Sequence, residues 1–245
     1  MGTGKSLSTP KGGKWSNTKR IITGKLRGTF DVSSSNIVGA TVDAGGGVGI
    51  GGTPNQIGLV IGSIGAFADK VAESGFEQSL AFLGLQELEG LSAVEVTAAI
   101  AERLTSSLDD LNGDLMRDAV REAVLEAAQL GDEDGLEHLE RGVDSFFEKE
   151  GVIEFVSLVL EKYVFNAIWS CIEDHVQSRS QSVEDFEAFL NAVQSVCESE
   201  VRKTLRDLKD RGQLDSIDWF GPRGERIGKT IFSSLEQQLM IGIEG

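Results

Sequence analysis

The glycine after the initiator methionine carries the group in this sequence best suited to chemistry. Gly2 is small enough for Met1 to be removed, and removal leaves a free glycine α-amine. An α-amine has a pKa of about 7.7, so near neutral pH an appreciable fraction is unprotonated and nucleophilic. Glycine also offers the least steric obstruction to an incoming electrophile. We therefore expect Gly2 to be an acceptor that another protein's catalyst modifies.

The residues around Gly2 are too polar to fold alone. The first fifteen residues are mainly Gly, Ser, Thr and Lys, with only Leu7 and Trp15 to bury. That composition is typical of a flexible chain. At about 3.3 Å per residue, an extended segment from Gly2 to Lys14 would reach about 40 Å. The sequence predicts a mobile, glycine-ended arm that can be delivered into a partner's active site.

The same glycine also fits a second kind of modification. Met1-Gly2 followed by Ser6 matches the myristoylation pattern M-G-x-x-x-[ST], and Lys5, Lys11 and Lys14 would supply a basic second signal for membranes. A lipidated adaptor at a membrane surface is thus one alternative. An unmodified helical adaptor or scaffold with an ordinary disordered start is another.

Three glycine motifs resemble nucleotide-binding loops by letter only. Gly4-Lys5-Ser6 and Gly228-Lys229-Thr230 end like a P-loop, but the first lacks room for the spacing glycine and the second has Arg223 in its place. The segment 47–52 satisfies G-x-G-x-x-G, but a dinucleotide site also needs a preceding buried strand. We interpret all three as chance matches and expect no cofactor in this chain.

One thiol and one imidazole have a spacing compatible with nucleophilic catalysis. Cys171 and His175 are four residues apart, so they share a face if the segment is helical. An enzyme that uses this pair is an alternative interpretation. A core thiol beside a surface histidine is the commoner arrangement, and the sequence shows no metal-ligand spacing around either histidine. We expect no catalytic or metal site.

The charge is distributed unevenly along the chain. Residues 1–55 contain seven Lys or Arg against two Asp, a net charge of +5, whereas the remainder carries −21 of the total of −16. An acidic body argues against direct nucleic-acid binding, because phosphates need positive partners. The basic N-terminal region could touch an acidic partner or the protein's own acidic body.

Cysteine content and hydropathy indicate a cytoplasmic protein. There are two cysteines and no apolar leader, which favours free thiols in a reducing compartment. The long apolar segment Val152–Ile172 is interrupted by Glu154, Glu161 and Lys162, so we predict a core helix there and no membrane association.

The pattern of apolar residues predicts an all-α fold. From Pro54 onward the spacing is helical almost throughout, and strand-like alternation is nearly absent. Ser92 with Glu95 forms a capping box, and Ser182 with Asp185 begins a helix of roughly 28 residues. We predict a flexible arm over 1–15, then over 16–53 a short helix (16–30) and a Gly/Ser-rich linker (31–53), and a bundled or orthogonal helical domain over 54–245. Within that domain the predicted helices are Pro54–Val71, Phe76–Leu83, Ser92–Leu104, Asp114–Leu130, Glu133–Lys149, Val152–Gln177, the segment after Ser182, and Arg226–Ile241.

Several segments together resemble one known family. They are the opening Met-Gly-Thr-Gly-Lys-Ser with its Gly-Gly-Lys-Trp continuation, the glycine-rich linker, and Leu83-Gly84-Leu85-Gln86-Glu87-Leu88-Glu89-Gly90-Leu91 leading into Ser92–Leu104. The helical run from Arg117-Asp118-Ala119 through Tyr163 and Ile172 is also similar. These features resemble the QatB family of the bacterial Qat anti-phage defence system. The chain differs from that family in having Gly4 where members commonly have serine.

The resemblance implies a specific set of partners. Qat systems encode a KAP-type ATPase, a QatB protein, a QueC-like enzyme and a TatD-like nuclease. QueC enzymes use ATP and zinc to act on the carboxylate of 7-carboxy-7-deazaguanine, and QueC-like relatives in defence are associated with joining that nucleobase to a partner's N-terminal amine. The resemblance thus implies that this chain is not an enzyme, that Gly2 is the acceptor, and that ATP and zinc belong to the partner. The residues that the partner would recognise are Thr3, Gly4, Lys5 and Ser6.

Overall fold

The computed structural model describes residues 12–48, 54–85, 91–108, 110–130, 135–215 and 217–241. Over these residues the fold is all-α and contains no strand, which confirms the predicted fold class. The helices are α1 Gly13–Leu26, α2 Ser34–Gly45, α3 Pro54–Ser74, α4 Phe76–Phe82, α5 Ala93–Thr105, α6 Leu111–Ala128, α7 Leu136–Lys149, α8 Gly151–Arg179, α9 Val183–Asp210 and α10 Gly221–Ile241.

Local start signals correctly place the beginnings of α3, α5 and α9. The Ser92 hydroxyl accepts from the Glu95 N–H, and the Glu95 carboxylate accepts from the Ser92 N–H, so the predicted capping box forms at the start of α5. The Ser182 hydroxyl likewise accepts from the Asp185 N–H at 3.1 Å ahead of α9. The helix predicted from Pro54 is α3, which begins at that residue.

The prediction of a linker over 31–53 was wrong for its first half. Helix α2 occupies Ser34–Gly45 and buries Ile37, Val38 and Val42. The serines that suggested a linker act at the start of the helix, where the Ser33 hydroxyl accepts from the Asn36 N–H. Gly46, with a φ of 78°, ends the helix in the left-handed conformation. The burial of these apolar residues therefore determines that the segment is helical, although its Ser- and Gly-rich composition is typical of a linker.

The last residues of the predicted arm belong to a helix. Helix α1 begins at Gly13, and Trp15 is buried with 5% of its surface exposed. Burial of this large ring stabilises a start that two glycines disfavour locally. The helix predicted over 16–30 ends at Leu26, because the chain turns at Gly28 and Phe30 folds back on Gly24. The three-part domain division itself stays a prediction.

Contacts group the chain into two compact units. The first unit comprises Met1–Gly51, Val164–Thr204 and Ser234–Gly245, and the second comprises Gly52–Tyr163 and Leu205–Ser233. In the first unit α1 packs on α2. The Thr18 hydroxyl donates to the Ala40 carbonyl at 3.1 Å, and Lys14 pairs with Asp43 at 2.7 Å.

In the second unit α3 and α10 meet at a contact made of glycines. A Cβ added to Gly58 would lie 2.7 Å from the Lys229 Cα, and one added to Gly62 would lie 2.8 Å from the Gly224 carbonyl. A Cβ added to Gly228 would overlap the Gly58 carbonyl oxygen. We call Gly58, Gly62, Gly224 and Gly228 the glycine contact. The two backbones approach this closely because Gly58, Gly62 and Gly228 have no side chains, whereas a Cβ on Gly224 would meet the Trp219 carbonyl of its own segment.

The other helices of the second unit pack around α3. Helices α4, α5 and α7 contact α3, while α6 packs between α5 and α7. Gly65 of α3 leaves room for the buried Trp219 ring. Asp144 of α7 accepts from the Phe76 N–H at 2.8 Å and so caps the start of α4. The Tyr163 hydroxyl donates to the Asn112 side-chain oxygen at 3.3 Å within the core.

Helix α8 was predicted to be a core helix. It is the one helix in the described part of the chain that is long and apolar enough to cross a membrane. However, 78% of its most apolar window is buried inside the protein, as is usual for the core helix of a soluble protein.

The glycine contact yields a stability prediction. Gly228→Ala places a methyl group against the Gly58 carbonyl, so we expect it to lower the free energy of unfolding by about 1–3 kcal/mol despite alanine's better helix propensity. Gly13→Ala is the matched control, because its Cβ would have no neighbour within 4 Å. It should be neutral or stabilising by up to about 1 kcal/mol. Urea unfolding followed by circular dichroism measures both, and a Gly228→Ala protein as stable as the parent would contradict the contact.

Candidate functional site

The predicted acceptor and recognition residues are Gly2, Thr3, Gly4, Lys5 and Ser6, and they lie outside the described residues. The structure describes the helix to which they lead. Its Trp15 has a buried indole N–H without a hydrogen-bond acceptor among the described residues, while the Lys19 ammonium lies 5.3 Å from the centre of the ring.

A basic cavity lies in the first unit, against one face of α1. Its volume is about 540 Å³. Its charged lining is Lys19, Arg20, Arg27 and Arg179, and we call it the basic cavity. The remaining lining residues are Ser16, Thr23, Gly24, Thr29, Phe30 and His175. Positions 16, 19, 20, 23 and 27 follow helical spacing, so α1 presents them along one side.

The chain after α1 folds back to form one wall of this cavity. The N–H groups of Thr29 and Phe30 both donate to the Gly24 carbonyl, at 2.8 and 3.2 Å. The Phe30 ring packs where a Gly24 side chain would be. Lys25 donates to the Val32 carbonyl at 2.7 Å. Glycine at position 24 is therefore what allows this loop to close on the helix.

The four cations of the basic cavity are not paired with an acidic side chain among the described residues. None of the described residues that line the cavity is acidic. Within the part of the chain that the structure describes, none of these four side chains forms an ion pair. A protein with a net charge of −16 thus keeps a local concentration of positive charge.

His175 of α8 reaches α1 at the edge of the basic cavity. Its Nε2 lies 3.0 Å from the Thr23 hydroxyl and 3.1 Å from the Lys19 carbonyl. The carbonyl can only accept, and the Thr23 hydroxyl already donates to the same carbonyl at 2.8 Å. The network therefore assigns the proton of neutral His175 to Nε2. Burial lowers the pKa of His175. The hydrogen bond to the Lys19 carbonyl raises this pKa, while the positive charges of Lys19 and Arg179 lower it further.

The two thiols are buried and poorly activated. Cys171 donates to the Ala167 carbonyl at 3.5 Å and has no hydrogen bond with His175. Desolvation raises the pKa of Cys171 to about 11, with a hydrogen bond from Ser170 opposing. Desolvation also raises the pKa of Cys197, and the carboxylates of Glu198 and Glu200 add to it. The thiol–imidazole pair of the enzyme alternative is not assembled.

The glycine motifs lack the surroundings that nucleotide binding needs. Gly228-Lys229-Thr230 lies inside α10, where Gly228 belongs to the glycine contact. The described part of the segment 47–52 follows helix α2, and no strand precedes it. There the Val48 N–H donates to Glu236 at 3.1 Å. Gly4-Lys5-Ser6 lies outside the described residues. The described parts of these two motifs thus lack the strand–loop–helix surroundings of a nucleotide site, and the absence of a cofactor stays a prediction.

A second cavity, of about 500 Å³, lies in the second unit. Phe82 and Phe220 form an edge-to-face pair there, with ring centres 5.9 Å apart, and both are partly exposed. Arg103 lines the same cavity and donates to the Leu83 carbonyl at 2.9 Å. No group of three or more His, Cys, Asp or Glu side chains in the described ranges is arranged to hold a metal ion.

Comparison with protein-family profiles gives the class of this protein. Residues 59–233 match the family described as Qat anti-phage system associated protein QatB, which makes the chain an all-α component of an anti-phage defence system. The match covers well over half of the sequence. The chain belongs to the QatB family, as the resemblance predicted. No curated protein and no solved structure matches it.

The basic cavity was missed at the level of sequence, although part of its signal was visible. The excess of positive charge in residues 1–55 indicates a basic N-terminal region but no particular site within it. The helical spacing of Lys19, Arg20, Thr23 and Arg27 could have located it on α1. The contribution of Arg179 could not have been found, because it depends on α8 packing beside α1.

The buried thiols lead to a labelling prediction. At about pH 8 the native protein should react with iodoacetamide roughly a hundredfold more slowly than the urea-unfolded protein, because burial and the raised pKa of Cys171 leave little thiolate. Intact mass spectrometry over time measures the rates. Equal rates in the two states would contradict the burial of both thiols.

The hydrogen bonds of His175 lead to a titration prediction. Its pKa should lie below the ordinary 6.5, so its contribution to stability is full above that pH and is lost as the pH falls through the folded-state pKa. NMR titration of the two histidine C2–H signals measures this pKa. The signal that disappears in the His175→Gln variant belongs to His175. A His175 signal that titrates at or above pH 6.5 would contradict the predicted lowering of its pKa.

Proposed function

We propose that this chain is a non-enzymatic component of a Qat anti-phage complex and that it presents the α-amine of Gly2 to a QueC-like partner enzyme. The observation that carries the proposal is membership of the QatB family over residues 59–233, which implies a role in the Qat system and partners within it. The QueC-like enzyme, KAP-type ATPase and TatD-like nuclease are the partners we propose, in the cytoplasm.

The reaction takes place on the partner. ATP converts the carboxylate of a 7-carboxy-7-deazaguanine-type nucleobase into an acyl adenylate and pyrophosphate is released. The unprotonated amine of Gly2 then attacks the acyl carbon, loses a proton, and expels AMP, so that one amide bond forms for each ATP consumed. Zinc and ATP belong to the QueC-like enzyme, and Thr3, Gly4, Lys5 and Ser6 are the residues that it recognises.

The described residues support the proposal in two ways. Helix α1, which directly follows the N-terminal segment, is held by the buried Trp15, by the Thr18 hydrogen bond to α2 and by the His175 contact from α8. The N-terminal segment is thus joined to an anchored helix. In addition, the cysteines that could compete as nucleophiles are buried and have raised pKa values.

A lipidated adaptor remains the second candidate, because Met1-Gly2 followed by Ser6 fits the myristoylation pattern. It uses the same amine but predicts a different adduct. An unmodified scaffold predicts none. The chemical identity of the group on Gly2 therefore separates the three functions.

Intact mass spectrometry of the protein expressed with the other genes of its operon tests the proposal. We expect most molecules to lack Met1 and to carry an adduct that peptide fragmentation localises to Gly2. The adduct should disappear when the gene of the QueC-like partner is omitted. Gly2→Glu should abolish it, because a bulky second residue prevents removal of Met1.

Gly13→Ala is the matched control, since it changes a glycine of the same N-terminal region without touching the acceptor. It should carry the adduct at the parental level. An unmodified N-terminus in the presence of all partners would overturn the proposal, and a fatty-acyl mass on Gly2 would favour the lipidated adaptor.

A further inference from the structure

We propose that the basic cavity binds a small anion with two or more phosphate groups, of the pyrophosphate or nucleoside polyphosphate class. The cavity lies in the first unit, against α1 and the end of α8, and the proposal does not rest on the modification of Gly2. The observation behind it is four cationic side chains around one cavity whose described lining contains no acid.

The four positive charges around the cavity favour a ligand that carries several negative charges. Arginine is always protonated at physiological pH, and lysine nearly always is, so Lys19, Arg20, Arg27 and Arg179 keep four like charges together. A ligand with one negative charge would leave three of them uncompensated. Phosphate groups supply several charges in a small volume, and the planar guanidinium binds phosphate oxygens in pairs.

Helix dipoles explain only half of this arrangement. Arg27 caps the C-terminal end of α1 and Arg179 is the last residue of α8, and cations are favourable beside the exposed carbonyls at helix C-termini. Lys19 and Arg20 lie in the middle of α1, where that effect is weak. Ring contacts with Trp15 and Phe30 hold these two side chains on the same face, and an anionic ligand would use the positive charges that they bring there.

Two of the cations are already held in place. The Arg20 guanidinium donates a hydrogen bond to the Asn17 side-chain oxygen at 3.0 Å and lies 5.6 Å from the centre of the Phe30 ring. The Lys19 ammonium lies over the Trp15 ring. Side chains fixed in this way lose less conformational entropy when a ligand binds.

Size and the remaining charge favour a small molecule over a nucleic acid. The volume of about 540 Å³ falls in the usual range of small-molecule sites. Beyond residue 55 the sequence carries a net charge of −21, which would repel a polyanion that extends past the cavity. A ligand confined to the cavity avoids that repulsion.

Calorimetric titration of the full chain with pyrophosphate and with ATP, each at low ionic strength, tests the proposal. We expect saturable 1:1 binding that weakens as salt is added. Arg27→Gln combined with Arg179→Gln should weaken it at least tenfold. Neither guanidinium group makes a hydrogen bond or ion pair with another described residue. The double variant should therefore fold, and circular dichroism checks that it does.

Arg121→Gln combined with Arg223→Gln is the charge-matched control. Both arginines lie outside the basic cavity, beside Asp118 and Asp218 respectively. The control removes the same net charge and should change the affinity less than twofold. An equal loss in both double variants would show that general charge, and no specific site, governs binding, and would overturn the proposal.

Two further readouts locate and identify the ligand. The His175 C2–H signal should shift on saturation, because its ring lines the cavity. ATP that binds at least tenfold more tightly than pyrophosphate indicates a nucleotide site, and equal affinities indicate a free polyphosphate, so either result supports the proposal. Absence of saturable binding by both overturns it. So does a single-stranded oligonucleotide that binds more tightly than ATP and displaces it, since the site would then belong to a nucleic acid.

Discussion

The second unit depends on the close approach of α3 and α10 at the glycine contact. Glycine inside a helix costs about 1 kcal/mol relative to alanine, so the four glycines of this contact are locally unfavourable by about 4 kcal/mol. Dispersion contacts between two backbones that touch help to offset that cost. The family match runs from residue 59 on α3 to residue 233 on α10. The helices that carry its two ends are the helices that this contact joins.

The same glycines show why a motif and a packing surface can be confused in a sequence. Gly228-Lys229-Thr230 looks like the end of a P-loop, but Gly224 and Gly228 are four residues apart, as are Gly58 and Gly62. A spacing of four keeps residues on one face of a helix, whereas a phosphate loop needs its glycines in irregular backbone after a strand. This spacing fits a packing face, but the sequence alone identified neither the glycine contact nor the opposing helix.

Most of the fold could be predicted because its signals are local. Ser92 and Ser182 begin their helices through hydrogen bonds to residues three positions later, and Pro54 is pre-organised for a first turn. The errors arose where tertiary burial overrides composition, as it does for Trp15 in α1 and for Ile37 in α2. The candidate sites were predicted less well. The partners of His175 lie on α1, more than 150 residues away, and no local pattern encodes such a contact.

The positive charges of residues 1–55 belong to two separate features, the basic cavity and the N-terminal segment. Of the seven cations in residues 1–55, Lys19, Arg20 and Arg27 line the basic cavity, while Lys14 pairs with Asp43 and Lys25 binds a backbone carbonyl. The folded first unit thus accounts for five of them, and the two others belong to the N-terminal segment. An anion in the cavity and a partner at Gly2 would therefore contact different positively charged side chains. Ligand binding at one place need not neutralise the recognition residues at the other, so both could be occupied in one molecule.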